Sequence, residues 1–186
     1  MTIFVGGIHG VGKTFLCKPA SLRLNLVHAT ASQLIRQERG HCSWSDRKEA
    51  SEVDENQRAL VNAVSRTLAE SRGLLLDGHF VLRRAVGQHE QISVEVFERL
   101  CCIGFVVLTA PISVLAERLI ARGDRSWTAG ELSDFAEAEL LHGRSVAEKL
   151  GRPLIALDLP SELELEQAVL SMLAKRMSLG EPHGLP

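Results

Sequence analysis

Apolar residues along this chain concentrate in five short runs, and the stretches between them have apolar positions at three- and four-residue spacing. The runs predict buried strands, and in chain order they are TIFVGG, LNLVHA, LLLDG, CIGFVVLTA and PLIALDL. The stretches between them predict amphipathic helices. Strands that alternate with helices predict an α/β fold, with a five-stranded parallel sheet and helices on both faces in a three-layer α/β/α arrangement.

The predicted helices are placed by apolar periodicity and by residues that favour helix ends. In chain order they span residues 13 to about 24, 30–40, 54 to about 73, 111 to about 122, 128–151 and 161–177. Pro19 predicts a kink or an early end in the first, because its ring removes a donor and crowds the carbonyl of Phe15. Asp54 and Gln57 have capping-box spacing and predict the start of the third helix. Residues 83–95 are polar and predict a connecting stretch before a helix of undetermined extent.

No internal repeat or linker divides the 186 residues, a length typical of one domain. We predict a single domain over residues 1–177. The last residues, 178–186, have the sequence SLGEPHGLP and predict a flexible tail.

Composition and charge exclude several classes of function. The chain is 45% hydrophobic and 24% charged, and its formal net charge of −2 argues against non-specific nucleic-acid binding over a broad basic surface. Six Phe, two Trp and no Tyr argue against a base-stacking platform. No basic leader precedes the first apolar run, and no uninterrupted apolar run approaches the roughly 18 to 20 residues that span a bilayer. We therefore predict a cytoplasmic protein with neither a membrane nor a nucleic-acid partner.

The cysteines offer no recognisable metal motif in the sequence. Cys17, Cys42, Cys101 and Cys102 form no Cys-x-x-Cys pair, and no His cluster stands beside them at zinc-site spacing. Cys101 and Cys102 precede an apolar strand, which favours packed, reduced thiols, and the role of the cysteines is otherwise left open.

The segment GIHGVGKT, residues 7–14, satisfies the pattern G-x-x-x-x-G-K-[ST]. Its glycines permit positive φ angles, so consecutive backbone N–H groups can face one phosphate, and the following helix adds the positive end of its dipole. Lys13 is predicted to reach the β- and γ-phosphates of ATP, and the Thr14 hydroxyl to ligate Mg²⁺. The predicted ATP-binding residues are Gly7, His9, Gly10, Val11, Gly12, Lys13, Thr14 and Phe15. The alternative is a glycine-rich turn that only joins a strand to a helix.

Asp77 ends the strand LLLDG, where a P-loop enzyme needs a carboxylate to hold Mg²⁺ or its water shell opposite the Thr14 hydroxyl. The alternative is an aspartate that caps a turn, because Asp-Gly favours turns. Ligands of parallel α/β sheets bind at the carboxyl ends of the strands, and both motifs follow strands. We therefore predict a P-loop NTPase fold with a Mg²⁺ site at Thr14 and Asp77.

Five arginines are predicted at the same edge of the sheet, namely Arg36, Arg83, Arg118, Arg122 and Arg125. Arg118 and Arg122 are four residues apart and share a helix face, while Arg125 lies just beyond Gly123 in a loop that could close over phosphates. A kinase that brings two anionic substrates together needs more positive charge than a hydrolase, so the set favours phosphoryl transfer. The alternative is that each arginine is a solvated charge paired with a neighbouring carboxylate.

These motifs resemble the nucleoside monophosphate kinases, and especially the archaeal-type adenylate kinases, over roughly residues 2–175. Beside the phosphate loop, the segments that carry the resemblance are TASQLIR, SDRKEASEVDENQRAL, DGHFVLR, RLIARGDR and EAELLHGRSVAEKLGRPLIALD. The chain departs from the family in a short lid with fewer arginines, in Gly78 where the family has Thr, in Trp127 and in Pro19.

The resemblance implies an enzyme that moves the γ-phosphate of MgATP to a nucleoside monophosphate. The acceptor-binding residues that it implies are Thr30, Ser32, Arg36, Gln57, His79 and Arg83. The catalytic charge would come from Lys13, Arg118, Arg122 and Arg125, and a lid over about residues 122–130 would close to exclude water. Two alternatives stay open: a kinase of another small molecule, such as a nucleoside or metabolite, and an ATPase or nucleotide switch that acts on a protein partner. A homo-oligomer also stays open.

Overall fold

Residues 1–40 and 50–178 are described by a computed structural model, in which strands and helices alternate along most of the chain. In chain order they are β1 (Thr2–Gly6), α1 (Lys13–Arg23), β2 (Val27–Thr30), α2 (Ala31–Arg39), α3 (Ala50–Glu70), β3 (Leu74–Asp77), β4 (Val81–Ala85), β5 (Gln88–Gln91), α4 (Val94–Arg99), β6 (Cys102–Thr109), α5 (Ile112–Ala121), α6 (Ala129–Lys149), β7 (Leu154–Asp158) and α7 (Glu162–Ser178). Apart from Ser178, the predicted tail falls outside the described residues.

Five strands form one parallel sheet in the order β2-β3-β1-β6-β7. β1 and β3 are buried at every position, as strands covered on both faces are. The predicted five-stranded parallel sheet with helices on both faces is therefore confirmed. Val5 of β1 pairs with Asp77 of β3, and Asp77 pairs with Thr30 of β2, so three strands end side by side. The loop after β1 consequently opens beside Asp77 and Thr30.

An aromatic cluster underlies this edge of the sheet. Phe4 contacts Phe80 and Phe97 edge-to-face, with ring centroids 4.9 Å and 5.1 Å apart, and Phe105 completes the cluster. All four rings are almost fully buried. Because Phe80 is anchored in this cluster, the backbone that follows β3 is held in place, and with it the neighbouring His79.

The prediction of a polar connecting stretch over residues 83–95 is wrong. Most of it belongs to an antiparallel hairpin of β4 and β5, in which Val81 pairs with Gln91. Gly87 makes the turn at a φ of 69°. The two strands are mostly half-exposed and polar, so they lack the apolar run by which the five sheet strands are recognised.

The predicted extent of α1, residues 13 to about 24, is confirmed, but the early end at Pro19 and the start of α3 at Asp54 are wrong. α1 continues through Pro19 to Arg23, because its buried face, including Leu16 and Ala20, packs against the core and outweighs the loss of one hydrogen bond. α3 already includes Ala50, so Asp54 lies inside the helix and does not start it. None of the described helices combines the length and the apolar character needed to cross a bilayer.

Candidate active site

The loop of residues 7–12 joins β1 to α1 with three glycines at positive φ. Gly7, Gly10 and Gly12 have φ angles of 138°, 82° and 106°, which side chains disfavour. A Cβ atom on Gly7 would lie 2.5 Å from the carbonyl oxygen of Leu108, so the loop also passes too close to β6 for a side chain. This conformation directly precedes the first turn of α1, as an anion-binding loop requires.

Lys13 is buried against this loop. Its Nζ donates to the carbonyl oxygen of Gly7 at 2.5 Å and to that of Ile8 at 3.3 Å. Burial lowers the pKa of Lys13, while the charges of Glu139 and Asp77 act in the opposite direction. The ammonium group therefore lies where a phosphate above the loop would receive its charge.

Arg118 of α5 also contacts the phosphate loop. Its Nη1 donates to the carbonyl oxygens of Gly10 and Val11 at 3.2 Å and 3.1 Å. The structure thus records this arginine as a brace for the loop backbone.

Thr14, His28 and Asp77 meet where β1, β2 and β3 end. The Thr14 hydroxyl donates to Oδ2 of Asp77 at 3.0 Å, and Nε2 of His28 lies 2.9 Å from the same oxygen. Hydroxyl and carboxylate oxygens are the hard ligands that Mg²⁺ prefers, so Thr14 and Asp77 fit the predicted ion.

A pair formed by half-buried His79 and buried Glu139 lies next to the loop. Oε1 of Glu139 is 2.6 Å from Nδ1 of His79, and Oε2 accepts from the backbone N–H of Phe80 at 2.8 Å. Burial raises the pKa of Glu139 to about 7, against the charge of Lys13. The pKa of His79 is held well below its ordinary value by burial and then by Lys13. Glu139 therefore orients His79 from inside α6.

His9 stacks on this pair from the phosphate loop. Its ring centroid lies 4.3 Å from that of His79, with Trp127 and Phe135 also in contact at 5.9 Å and 6.4 Å. Burial, followed by the charges of His79 and Lys13, lowers the pKa of His9 to about 3. His9 as a whole residue is exposed, and its ring lies between the loop and Trp127 of residues 122–130.

Arg83 of β4 contacts the segment that was predicted as a lid. Its Nη2 donates to the Ser126 carbonyl oxygen at 2.7 Å and to Oε1 of Glu131 at 2.9 Å. Its guanidinium carbon lies 3.9 Å from the centre of a Trp127 ring, a cation–π geometry. Arg83 therefore connects the hairpin to residues 126–131.

A cavity of about 480 Å³ brings many of the predicted site residues together. Those that line it are His9, Gly10, Gly12, Lys13, Thr14, Phe15, Thr30, Ser32, Gln57, Asp77, His79, Arg83 and Arg122. Its inner wall is apolar and is formed by Phe4, Val53, Leu60, Ile92, Val96, Phe97 and Leu100, among others. The phosphate loop and a partly apolar chamber thus share one space.

Other predicted residues lie outside that lining. Gly7 and Val11 are buried in the loop behind it. Arg36 is exposed, and its Nε donates to the carbonyl oxygen of Ser32 at 3.3 Å. Arg125 is exposed within the segment of residues 122–130. The role predicted for each of these residues stays a prediction.

Sequence reasoning missed Glu139 and His28. Glu139 lies on the buried stripe of α6 between Phe135 and Val146, and a carboxylate in an apolar stripe was the signal that could have identified it. His28 interrupts the weakest of the strand runs, but nothing in the sequence indicates that it faces Asp77.

Comparison with known proteins identifies a family and a fold. A sequence profile of the family described as an AAA domain matches residues 6–133. No curated protein matches the chain in sequence.

Several solved structures share the fold. A shikimate kinase from Acinetobacter baumannii in complex with shikimate is 17% identical, with a TM-score of 0.61 over 94% of this chain and 93% of that one. The YorR protein from Bacillus subtilis in complex with phosphorylated GDP is 15% identical, with a TM-score of 0.61 over 96% and 98%. A gluconokinase from Sinorhizobium meliloti is 19% identical, with a TM-score of 0.53 over 94% and 91%. The finer resemblance to archaeal-type adenylate kinases stays a prediction.

Proposed function

We propose that this chain, which belongs to the AAA domain family, is an ATP-dependent phosphotransferase that acts on a small molecule. The observation that carries the proposal is the shared cavity. Lys13, Thr14 and Asp77 line the same space of about 480 Å³ as residues of α3, β4 and α4, so a bound γ-phosphate would face room for an acceptor. A loop that only joined a strand to a helix would need neither the buried lysine nor the adjoining chamber.

The chemistry would depend on positioning and charge. The phosphate loop would hold the ATP phosphates through backbone N–H groups, with Lys13 beside the β- and γ-phosphates. Thr14 and Asp77 would hold Mg²⁺, which supplies charge neutralisation when bound. Arg122 lines the cavity at the end of α5, where its guanidinium could neutralise charge on the transferring group.

The segment of residues 122–130 would act as the lid. Trp127 covers His9 of the phosphate loop, and Arg83 joins the segment to the hairpin. Closure over the nucleotide would exclude water and suppress hydrolysis. Closure would also bring Arg125 of this segment toward the transferring phosphate, so we assign Arg125 to stabilisation of the transition state.

The acceptor that the sequence resemblance implies is a nucleoside monophosphate. Thr30, Ser32, Gln57 and His79 line the cavity in support of it, whereas Arg36 does not. The apolar inner wall, which includes Phe4 and Phe97, favours an acceptor with a planar or apolar part, and this also admits a nucleoside or a non-nucleotide metabolite.

The test is ADP formation from MgATP by the purified chain, alone and with each nucleoside monophosphate, nucleoside or hydroxylated metabolite in turn. Turnover that requires one acceptor would establish the kinase and identify the acceptor class. Acceptor-independent hydrolysis, or none, would overturn the proposal and favour the nucleotide switch, whose protein partner would then be sought.

A further inference from the structure

A thiol, an imidazole and a carboxylate converge beside the phosphate loop. They come from three elements: Cys17 from α1, His28 from β2 and Asp77 from β3. One ligand atom from each lies within 4.8 Å of the other two. No short sequence motif joins them, because the parallel sheet assembles the group from distant parts of the chain.

The donor set differs in kind from the oxygen ligands of Mg²⁺. Sulfur, nitrogen and oxygen together suit Zn²⁺ and similar ions of intermediate softness. Zn–N and Zn–O bonds of about 2.0–2.1 Å at a tetrahedral centre put the ligand atoms about 3.3 Å apart. His28 Nε2 and Asp77 Oδ2, now 2.9 Å apart, would separate by a few tenths of an ångström. The thiol would approach by about an ångström at most, within the reach of side-chain rotation.

The site is enclosed by protein. Cys17 is completely buried, and the side chains of His28 and Asp77 are 9% and 6% exposed. Burial, reinforced by the charge of Asp77, raises the pKa of the Cys17 thiol well above its ordinary value.

We propose that Cys17, His28 and Asp77 bind a zinc-class divalent cation, and that this cation competes with Mg²⁺ for Asp77. On binding, the thiol proton leaves to solvent, and Nε2 of His28 exchanges its hydrogen bond for the metal while the imidazole proton resides on Nδ1. A fourth position would be left for water or a nucleotide oxygen.

Competition follows from the shared carboxylate. Thr14 and Cys17 are three residues apart on α1 and both adjoin Asp77. Thr14 and His28 contact the same carboxylate oxygen, Oδ2 of Asp77, so the two ions would need the same ligand atom. Only this second half of the inference rests on the proposed phosphotransferase function.

The first experiment measures Co²⁺ binding by the full-length chain without nucleotide. A Cys42→Ser, Cys101→Ser background removes two other thiols. We expect a thiolate-to-cobalt absorption band in this background, and its loss in the added Cys17→Ser variant with at least about a tenfold weaker affinity. The matched control is Cys102→Ser, which changes another buried cysteine on β6. A band that survives Cys17→Ser, or no Co²⁺ binding in the background chain, would overturn the site.

Calorimetry with Zn²⁺ provides the second readout. Titrations in two buffers of different ionisation enthalpy give the protons released on binding. We expect about one proton per ion in the background chain and close to none after Cys17→Ser. Should Cys17→Ser fail to fold, His28→Gln takes its place, with weakened Zn²⁺ binding as the expected result and unchanged binding as the contrary one.

The competition is tested in the presence of MgATP and acceptor. We expect Zn²⁺ to inhibit turnover, excess Mg²⁺ to relieve the inhibition, and Cys17→Ser to shift the inhibitory Zn²⁺ concentration upward about tenfold. Zn²⁺ binding without inhibition would contradict the competition alone. A chain that transfers no phosphate would refute the proposed function, while the cobalt and calorimetric results would still decide the metal site.

Discussion

Buried charged residues are concentrated around the phosphate loop. Lys13 and Glu139 are both almost inaccessible to solvent, and each moves the other's pKa toward the charged form against the effect of burial. Burying single charges is costly, and mutual attraction offsets part of that cost. The arrangement is therefore better explained by function than by stability.

Lys13→Ala tests the central residue of the proposed mechanism. We expect phosphoryl transfer to fall by orders of magnitude, because the substitution removes the cation beside the γ-phosphate. The chain should stay folded, because the substitution also removes the free-energy cost of burying the ammonium group. ADP formation and a thermal melt measure the two effects, with the exposed Lys18→Ala on the same helix as control. Near-normal turnover in folded Lys13→Ala would defeat the scheme.

Glu139→Gln should change how stability depends on pH. The folded pKa of Glu139 is raised to about 7, so its contribution to the free energy of unfolding is full below its ordinary pKa and is lost as pH rises through 7. Relative to the glutamine variant, the wild type should lose up to about 3 kcal/mol between pH 4 and 8. Urea unfolding at several pH values measures the difference. A difference independent of pH, as we expect for the exposed Glu148→Gln on α6, would contradict the raised pKa.

At the scale of elements, the hairpin and the proposed lid are joined by one side chain. Arg83 of β4 reaches Ser126, Trp127 and Glu131, while the capping box of Thr128 and Glu131 fixes the start of α6. Both sets of contacts therefore hold the second half of residues 122–130, next to the start of α6. Arg83 therefore contacts the proposed lid directly, while the acceptor contact predicted for it stays a prediction.

Arg83→Lys should loosen that contact, since lysine cannot reproduce the fork of hydrogen bonds or the flat stacking on Trp127. In a Trp44→Phe background, Trp127 is the one remaining tryptophan and reports on its own surroundings. We expect its emission to shift to longer wavelength in Arg83→Lys and to become more accessible to acrylamide. Arg84→Lys on the neighbouring position is the control. Identical emission and quenching in both variants would refute a role for Arg83 in positioning Trp127.

Arg125→Ala probes the proposed lid in a different way. Arg125 is exposed beside the contacts of Arg83, so we expect the substitution to leave nucleotide affinity nearly unchanged while kcat falls by about 10³ or more. Nucleotide titration and steady-state kinetics separate the two quantities. An equal loss in both, or no loss in either, would remove Arg125 from the transition state.

The elements that sequence patterns predict well are those with one dominant physical cause. The central strands β1, β3 and β6 are apolar because both faces are covered, so their runs were visible in the sequence. The hairpin was missed because β5 (Gln88–Gln91) is polar and half-exposed and its pairing with β4 depends on a turn at Gly87. The start of α3 was misplaced because Asp54 and Gln57 imitate a cap within a continuing apolar stripe that includes Val53.

The whole molecule is organised by the order of its sheet strands. Placing β1 between β3 and β6 gathers the phosphate loop, Asp77 and the start of α5 at one edge. The local motifs around Lys13 and Asp77 could be predicted because each consists of residues that are consecutive in the sequence. The Glu139–His79 pair and the Cys17–His28–Asp77 cluster could not, since their members are brought together only by the tertiary fold.

Nucleotide binding should stabilise the whole chain. A non-hydrolysable ATP analogue with Mg²⁺ at about 100 times its Kd contributes about 2.7 kcal/mol, which for a chain of this length corresponds to a rise of about 5–10 °C in Tm. Differential scanning fluorimetry measures the shift, and EDTA should reduce it if Asp77 and Thr14 hold the ion. The same shift in Lys13→Ala would indicate that the analogue binds elsewhere.

The brace that Arg118 forms has a consequence for how the two substrates influence each other. Its hydrogen bonds to Gly10 and Val11 tie the phosphate loop to α5, whose end leads directly into residues 122–130. If the proposed lid rearranges around an acceptor, these hydrogen bonds would transmit the movement to the loop that is proposed to hold ATP. Thermodynamic linkage then requires that ATP change the affinity for the acceptor by the same factor by which the acceptor changes the affinity for ATP.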